Sequence, residues 1–123
     1  MKYLLIICIL FSNLTGIADA SPEISEVMKL LEGRHWKLKA KSFKSLGDDT
    51  DRLLIKIAGD TAMINYIRFR ALEALSLFPS EKTAVFLEHT ADKSFAALAR
   101  RGFEALKIGF RKTEPERVKK IAE

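Results

Sequence analysis

Apolar side chains recur along this chain every three or four residues, which is the spacing of one face of an α-helix. The segment 67–78, IRFRALEALSLF, is apolar at eight of its twelve positions and leaves only a narrow polar strip. A helix with so wide an apolar face has to be covered by neighbouring helices on more than one side. The pattern therefore predicts an all-α fold in which this helix is enclosed between others.

The same pattern returns at a fixed interval along the chain. Segment 98–109, LARRGFEALKIG, is identical to segment 67–78 at four of twelve positions. A weaker copy at 36–47, WKLKAKSFKSLG, keeps an alanine, a serine and a leucine in the same register. We expect each of the three copies to form a helix.

The stretches in front of these copies are predicted to form a second set of helices. Segments 48–60 and 80–92 match one another at nearly the same interval, and the residues that begin with Leu53 and with Val85 recur at helical rather than strand spacing. A period of this length is typical of stacked arrays of helix pairs. The predicted fold is a short α-solenoid of two-helix repeats at about 21–47, 48–78 and 79–110, with a capping segment at 111–123.

Glycine and proline residues agree with these boundaries. Pro79-Ser80 marks the start of a helix, whereas Gly59 and Gly109 lie where helices are expected to end. The segment 36–41 admits a second interpretation, because it alternates apolar and basic residues as a β-strand does. The register that it shares with the two better copies favours a helix.

The second helix of each pair resembles the HEAT-repeat family, in particular the short bacterial repeats of the PBS-lyase type. The family pattern V-R-x-x-A-x-x-A-L is similar to residues 67–75, IRFRALEAL. The third copy departs from it at Ala99, in place of the arginine, and the first copy at Lys44, in place of the leucine. The resemblance covers about residues 21–110. It implies an α-solenoid that acts mainly as a scaffold for protein contacts, with the second helices lining its concave face.

The N-terminal segment has the three regions of a secretory signal peptide. Lys2 precedes an apolar run at 3–11, and residues 18–20 (ADA) form a small-x-small cleavage site. The run is too short to span a bilayer, which takes about 20 residues. We expect cleavage of residues 1–20 before Ser21 and a periplasmic or secreted protein. The single cysteine, Cys8, lies in the removed segment, so no disulfide is expected.

Basic residues recur at one position of the repeat and beside it, in a chain of net charge +5. The recurrent position is occupied by Lys39, Arg70 and Arg101, and the flanking positions by Lys37, Arg68 and Arg100. In a solenoid these six residues, here called the basic series, would line the second helices and bind an acidic protein through charge-assisted hydrogen bonds. The alternative is a solvated helix face, because Arg70 with Glu73 and Arg101 with Glu104 have the i, i+3 spacing of ordinary ion pairs.

No catalytic or metal-binding constellation is evident in the sequence. His35 and His89 lie in different repeats, and neither has a second ligand at helical spacing. The aspartates between Asp48 and Asp60 lack the glycine and the final glutamate of a calcium loop. Trp36 replaces apolar residues of the other copies, so we expect it in the core, with a recognition anchor as the alternative.

We therefore expect a non-enzymatic protein-interaction or scaffold module that uses no metal or cofactor. Its partner would be another protein, acidic where it meets the basic series. The alternative is a cationic binder of an anionic polymer or of a membrane surface, since a pI near 9.4 favours anions of every kind. Export argues against nucleic acid as the partner.

Overall fold

The computed structural model describes residues 23–122, and within that range the chain forms seven α-helices and no β-strand. The helices are α1 (Ile24–Leu31), α2 (Ala40–Lys44), α3 (Thr50–Gly59), α4 (Asn65–Leu75), α5 (Glu81–Lys93), α6 (Ala96–Phe110) and α7 (Pro115–Ala122). None of them is long and apolar enough to cross a bilayer. The predicted all-α class is thereby confirmed, while the predicted signal peptide at 1–20 lies outside the described residues.

The helices pack in sequence-adjacent pairs. The most extensive contacts join α5 to α6 and α3 to α4, and α4 also lies along α6. By contrast, α3 and α5 touch only narrowly, and α1 makes small contacts with α2, α3 and α4. The helices α4 and α6 are therefore the shared inner surface on which the rest of the chain is arranged.

The core is centred on α4. Ile67, Ala71, Leu72, Ala74 and Leu75 are all at most 2% exposed, because α4 is covered by α1, α3 and α6 at once. This enclosure confirms the expectation drawn from the wide apolar face of the segment. Two of the five side chains are alanines, which let the neighbouring helices approach closely.

The predicted helix at 36–47 is wrong over most of its length, because only Ala40–Lys44 is helical. Residues 36–39 form neither helix nor strand. Within α2 only Phe43 is buried, so a longer helix would gain too little packing to offset the cost of ordering it. The chain instead turns at Gly33 and His35, which adopt φ values of 105° and 51°.

The inner face of α5 consists of Thr83, Ala84, Leu87 and Thr90. Val85 lies on the outer face of the helix and is 53% exposed. Small and hydroxyl side chains therefore take most of the buried positions of α5.

Two glycines of α6 lie against neighbouring helices. A Cβ atom on Gly102 would lie 2.9 Å from Cγ2 of Thr90, and one on Gly109 would lie 3.3 Å from the carbonyl oxygen of Ser76. Helix α6 ends at Phe110, one residue after the predicted end at Gly109. Glycine is needed there for the close approach to Ser76 and not for a turn.

Charged side chains hold the C-terminal helix in place. Arg117 of α7 donates two hydrogen bonds to the Glu81 carboxylate, at 2.8 and 2.9 Å, and lies 3.4 Å from Glu88 and 3.6 Å from Glu114. The hydrogen bonds from Arg117 lower the pKa of Glu81, so the folded state favours the ionised carboxylate. No residue of α7 is fully buried, and this cluster supplements the partial burial of Val118 and Ile121.

The contact at Gly102 makes a direct prediction about packing. Gly102→Ala should destabilise the protein by about 1 kcal/mol, because overpacking costs roughly 2 kcal/mol at the middle of its range and replacing a helical glycine returns about 1 kcal/mol. The measurement is the free energy of unfolding in denaturant. Thr90→Ser, which removes the crowding methyl group, should recover part of the loss.

The matched control is Gly59→Ala. A Cβ atom there would lie 3.5 Å from the ring of Phe86, which is an ordinary contact, so this variant should be neutral or more stable. If Gly102→Ala proved as stable as the parent protein, the close packing of α5 on α6 would be refuted.

Candidate binding surface

Two adjoining cavities form a continuous groove across α4 and α6. Their volumes are about 390 and 300 Å³, and they share Phe69, Glu73 and Arg101. We call this feature the α4–α6 groove. The residues that matter most in its walls are Trp36, Tyr66, Phe69, Arg70, Arg101 and Ile108.

Arg70 is fixed at one end of the groove. Its Nη1 donates a hydrogen bond of 2.7 Å to the carbonyl oxygen of Leu31, the last residue of α1. Its Cζ lies 4.7 Å from the ring centroid of Tyr66 and 5.4 Å from that of Trp36. The helix end supplies negative partial charge, and both rings attract a cation to their faces. Arg70 thus ties α1, the 32–39 segment and α4 together.

Trp36 is half-buried and belongs to both the core and the groove. Its Nε1 donates a hydrogen bond of 2.7 Å to the carbonyl oxygen of Leu30. The ring packs against the edge of the core and also lines the groove beside Tyr66. The expectation of a core tryptophan is therefore met in part, and one side of the ring remains accessible.

Arg101 has a different environment from Arg70, although it occupies the same repeat position. Its Cζ lies 4.4 Å from the ring centroid of Phe69, and the residue as a whole is exposed. Phe69 in turn lies 6.5 Å from the ring of Phe95, centroid to centroid. No described residue accepts a hydrogen bond from the Arg101 guanidinium or pairs with it. The N–H groups of Arg101 are thus available to a ligand.

The two glutamates of the predicted ion pairs line the groove without contacting the arginines. Among the described residues, no salt bridge joins Arg70 to Glu73 or Arg101 to Glu104. Glu104 lies 3.3 Å from Lys107 instead. Both arginines lie over ring faces, so the i, i+3 ion pairs of the alternative interpretation are not formed, while Arg101 and both glutamates are exposed to solvent.

The rest of the basic series does not form one continuous line. Lys37 and Lys39 are exposed on the segment before α2 and line a separate cavity of about 210 Å³, to whose walls Trp36 also belongs. Arg100 is exposed beside Arg101 in the groove. The structure thus brings Arg70, Arg100 and Arg101 to one groove and leaves the two lysines next to it.

Arg68 is the exception within the basic series, since it is not on the open surface. It is 8% exposed, and its Nε donates a hydrogen bond of 2.9 Å to the carbonyl oxygen of Ala58, near the end of α3. The prediction that Arg68 flanks a binding surface is therefore corrected. Arg68 joins α3 to α4 by satisfying a carbonyl group that the helix itself leaves free.

Sequence reasoning does not single out the aromatic part of the groove. It assigns Phe69 to the apolar face of α4, and Tyr66 lies just outside the repeated segment. A signal is nevertheless present in the repeat, because Ile64 and Phe95 occupy equivalent positions just before α4 and α6 and are both exposed, at 62% and 48%. Apolar residues recurring outside the predicted core are a mark of a contact surface.

In the sequence, neither His35 nor His89 has a second histidine at helical spacing. Within residues 23–122, no three histidine, aspartate or glutamate side chains are grouped as ligands of one metal ion. His35 lies in the turn after α1, and His89 is exposed on α5.

No protein-family model, curated protein or solved structure matches this chain. Its fold and its groove define its class: it is an all-helical protein with a groove, lined by aromatic residues and arginines, across two stacked helices. The likeness to HEAT repeats stays a resemblance of residues.

The hydrogen bond from Arg68 leads to a prediction about stability. Arg68→Leu should lower the free energy of unfolding by about 1–3 kcal/mol, because the Ala58 carbonyl would lose its donor in a buried place. The matched control is Arg100→Leu, an equal loss of charge at an exposed position of α6, which should change the free energy of unfolding by less than about 0.5 kcal/mol. Equal effects of the two substitutions would rule out the structural role given to Arg68.

Proposed function

We propose that this protein is a non-enzymatic interaction module of an exported compartment, and that it binds a segment of another protein in the α4–α6 groove. The observation that carries the proposal is Arg101, a guanidinium stacked on Phe69 with no acceptor among the described residues. Tryptophan, tyrosine and arginine are the residues most enriched in binding hot spots. Trp36, Tyr66 and Arg101 lie together in the walls of this groove.

The finer architecture that we propose is a short α-solenoid of HEAT-like repeats. Support comes from the helix pairs α3–α4 and α5–α6, whose second helices begin at equivalent repeat positions, Asn65 and Ala96, and lie along one another. Equivalent positions also have equivalent burial, as Ile67 and Leu98 are both 2% exposed. In a solenoid each pair buries its faces by stacking on the next.

The proposed route to the exported compartment is the N-terminal signal peptide. Its support is the sequence alone, in which an apolar run and a small-x-small site precede Ser21. The partner is accordingly proposed to be a protein of the same compartment.

A second candidate function is binding of an anionic polymer or a membrane surface. The observation in its favour is the cavity beside Trp36, which is lined by Lys29, Arg34, Lys37 and Lys39. A surface of this kind predicts retention on heparin or anionic vesicles that falls steeply with salt concentration.

Photochemical cross-linking in expressing cells distinguishes these functions. Ile108 in the groove and Val85 on the outer face of α5 are both apolar and exposed, at 61% and 53%. With a photoreactive phenylalanine in place of Ile108, we expect discrete cross-linked products of higher mass that contain a second protein. The same substitution at Val85 is the matched control and should give none.

Mass spectra of the products identify the partner segment and also give the N-terminus of the protein, which is Ser21 if the predicted segment is removed. Cross-linking that is equal at positions 108 and 85, or confined to 85, would contradict the proposal. Loss of heparin or vesicle binding after Lys37→Gln and Lys39→Gln, with no cross-link at 108, would establish the second function instead.

A further inference from the structure

The inference concerns the chemistry of the partner and rests on the proposed function. We infer that the α4–α6 groove accepts a protein segment with one carboxylate next to an apolar side chain. The carboxylate pairs with the edge of the Arg101 guanidinium, and the apolar side chain enters the cavity between Phe69 and Ile108. The groove thus selects a combination of charge and apolar surface and does not select charge alone.

The position of Arg101 on Phe69 determines which atoms are free. A guanidinium attracted to a ring uses its face, whereas its five N–H donors lie in the plane of the group and point outward from the edge. That edge matches the two oxygens of a carboxylate, which accept parallel hydrogen bonds. The contact with Phe69 therefore restricts the Arg101 side chain before a partner arrives and reduces the entropy that binding would cost.

Arg70 is not equivalent as a binding group, even though it lies in the same groove. One of its N–H groups already donates to the Leu31 carbonyl, and the rings of Tyr66 and Trp36 are both within cation–π distance of it. A carboxylate would have to compete with these contacts. Arg101 is therefore the residue at which we expect the acidic group of the partner, with Arg100 beside it.

The requirement for an apolar side chain in the partner follows from the apolar residues that line the larger cavity of the groove. The larger cavity has a volume of about 390 Å³ and is lined by Phe69, Ala97, Ala105 and Ile108 as well as by charged residues. Ile108 is 61% exposed, and covering it removes apolar surface from water. A partner that offered only a carboxylate would leave this surface uncovered.

The acidic residues of the groove argue against a polyanion. Glu73 and Glu104 line the same cavity as Arg101, and Glu73 forms no salt bridge within the described part of the chain. A polymer with a charge at every unit would bring some of its anions against these carboxylates. A single carboxylate flanked by apolar groups reaches Arg101 and avoids them, so a protein segment fits the groove better than an anionic polymer does.

Selection from a random peptide library tests the inference. The full chain is immobilised, a phage library of twelve-residue peptides is selected at about 0.15 M salt, where a Debye length of about 8 Å weakens nonspecific attraction, and enriched sequences are read. We expect enriched peptides to carry an aspartate or glutamate within three positions of a leucine, isoleucine or phenylalanine. The fluorescence of Trp36, the single tryptophan of the chain, then reports the affinity of the best synthetic peptide.

Substitutions in the protein and in the peptide show whether Arg101 contacts the acidic residue of the peptide. Arg101→Gln should weaken binding of the peptide by about 10- to 100-fold, the range of a charge-assisted hydrogen bond. Changing the acidic residue of the peptide to its amide should weaken binding of the parent protein to a similar extent and should add little in the Arg101→Gln variant. Arg111→Gln, the same change of charge at an exposed residue that is absent from the groove walls, is the control and should leave the affinity unchanged.

The outcomes separate this inference from the function on which it rests. Enriched peptides without an acidic residue, whose binding is lost in Phe69→Ser but kept in Arg101→Gln, would overturn the inference and leave groove binding intact. Peptides insensitive to both substitutions would overturn the groove as well. Heparin binding that is lost in Arg101→Gln, with no peptide enriched, would overturn the choice of a protein segment over a polymer.

Discussion

Carbonyl groups at the C-terminal ends of helices are the constraint on which this arrangement depends, because the last turn of a helix leaves them without a donor. Two arginines of α4 satisfy two of them. Arg68 donates to Ala58 at the end of α3, and Arg70 donates to Leu31 at the end of α1. One helix therefore holds the ends of two others, which places α4 at the centre of the fold.

The groove contains a third arginine that does not share this role. Arg101 occupies the same position of the repeat as Arg70, in the next helix pair. The helix end that corresponds there to the end of α1 is the end of α3. The Ala58 carbonyl at that end already accepts a hydrogen bond from Arg68. Arg101 forms no such hydrogen bond within the described residues and lies over the ring of Phe69. Equivalent positions of the repeated segment thus carry a structural arginine in α4 and an exposed arginine in α6, which is the residue that we propose for recognition.

Local periodicity predicts α4 and α6, because the wide apolar faces of segments 67–78 and 98–109 can be covered only by stacked helices. It fails at α2, which has a single buried side chain, and it gives no sign that small and hydroxyl side chains take most of the inner face of α5. It also cannot assign the arginines. The carbonyl acceptors of Arg68 and Arg70 lie 10 and 39 residues away in the chain, and only tertiary packing brings them within reach. The basic series is thus a recurrence of the sequence, and its division into structural and exposed members depends on tertiary contacts.

The free energy of unfolding of two variants, Arg70→Gln and Arg101→Gln, tests most directly whether equivalent arginines have been divided between structure and recognition. Arg70→Gln should lose about 2 kcal/mol or more, because it removes a hydrogen bond from a charged group and two cation–π contacts together. Arg101→Gln should lose no more than about 1 kcal/mol, the value of an exposed cation–π contact. Equal losses in the two variants would contradict the division.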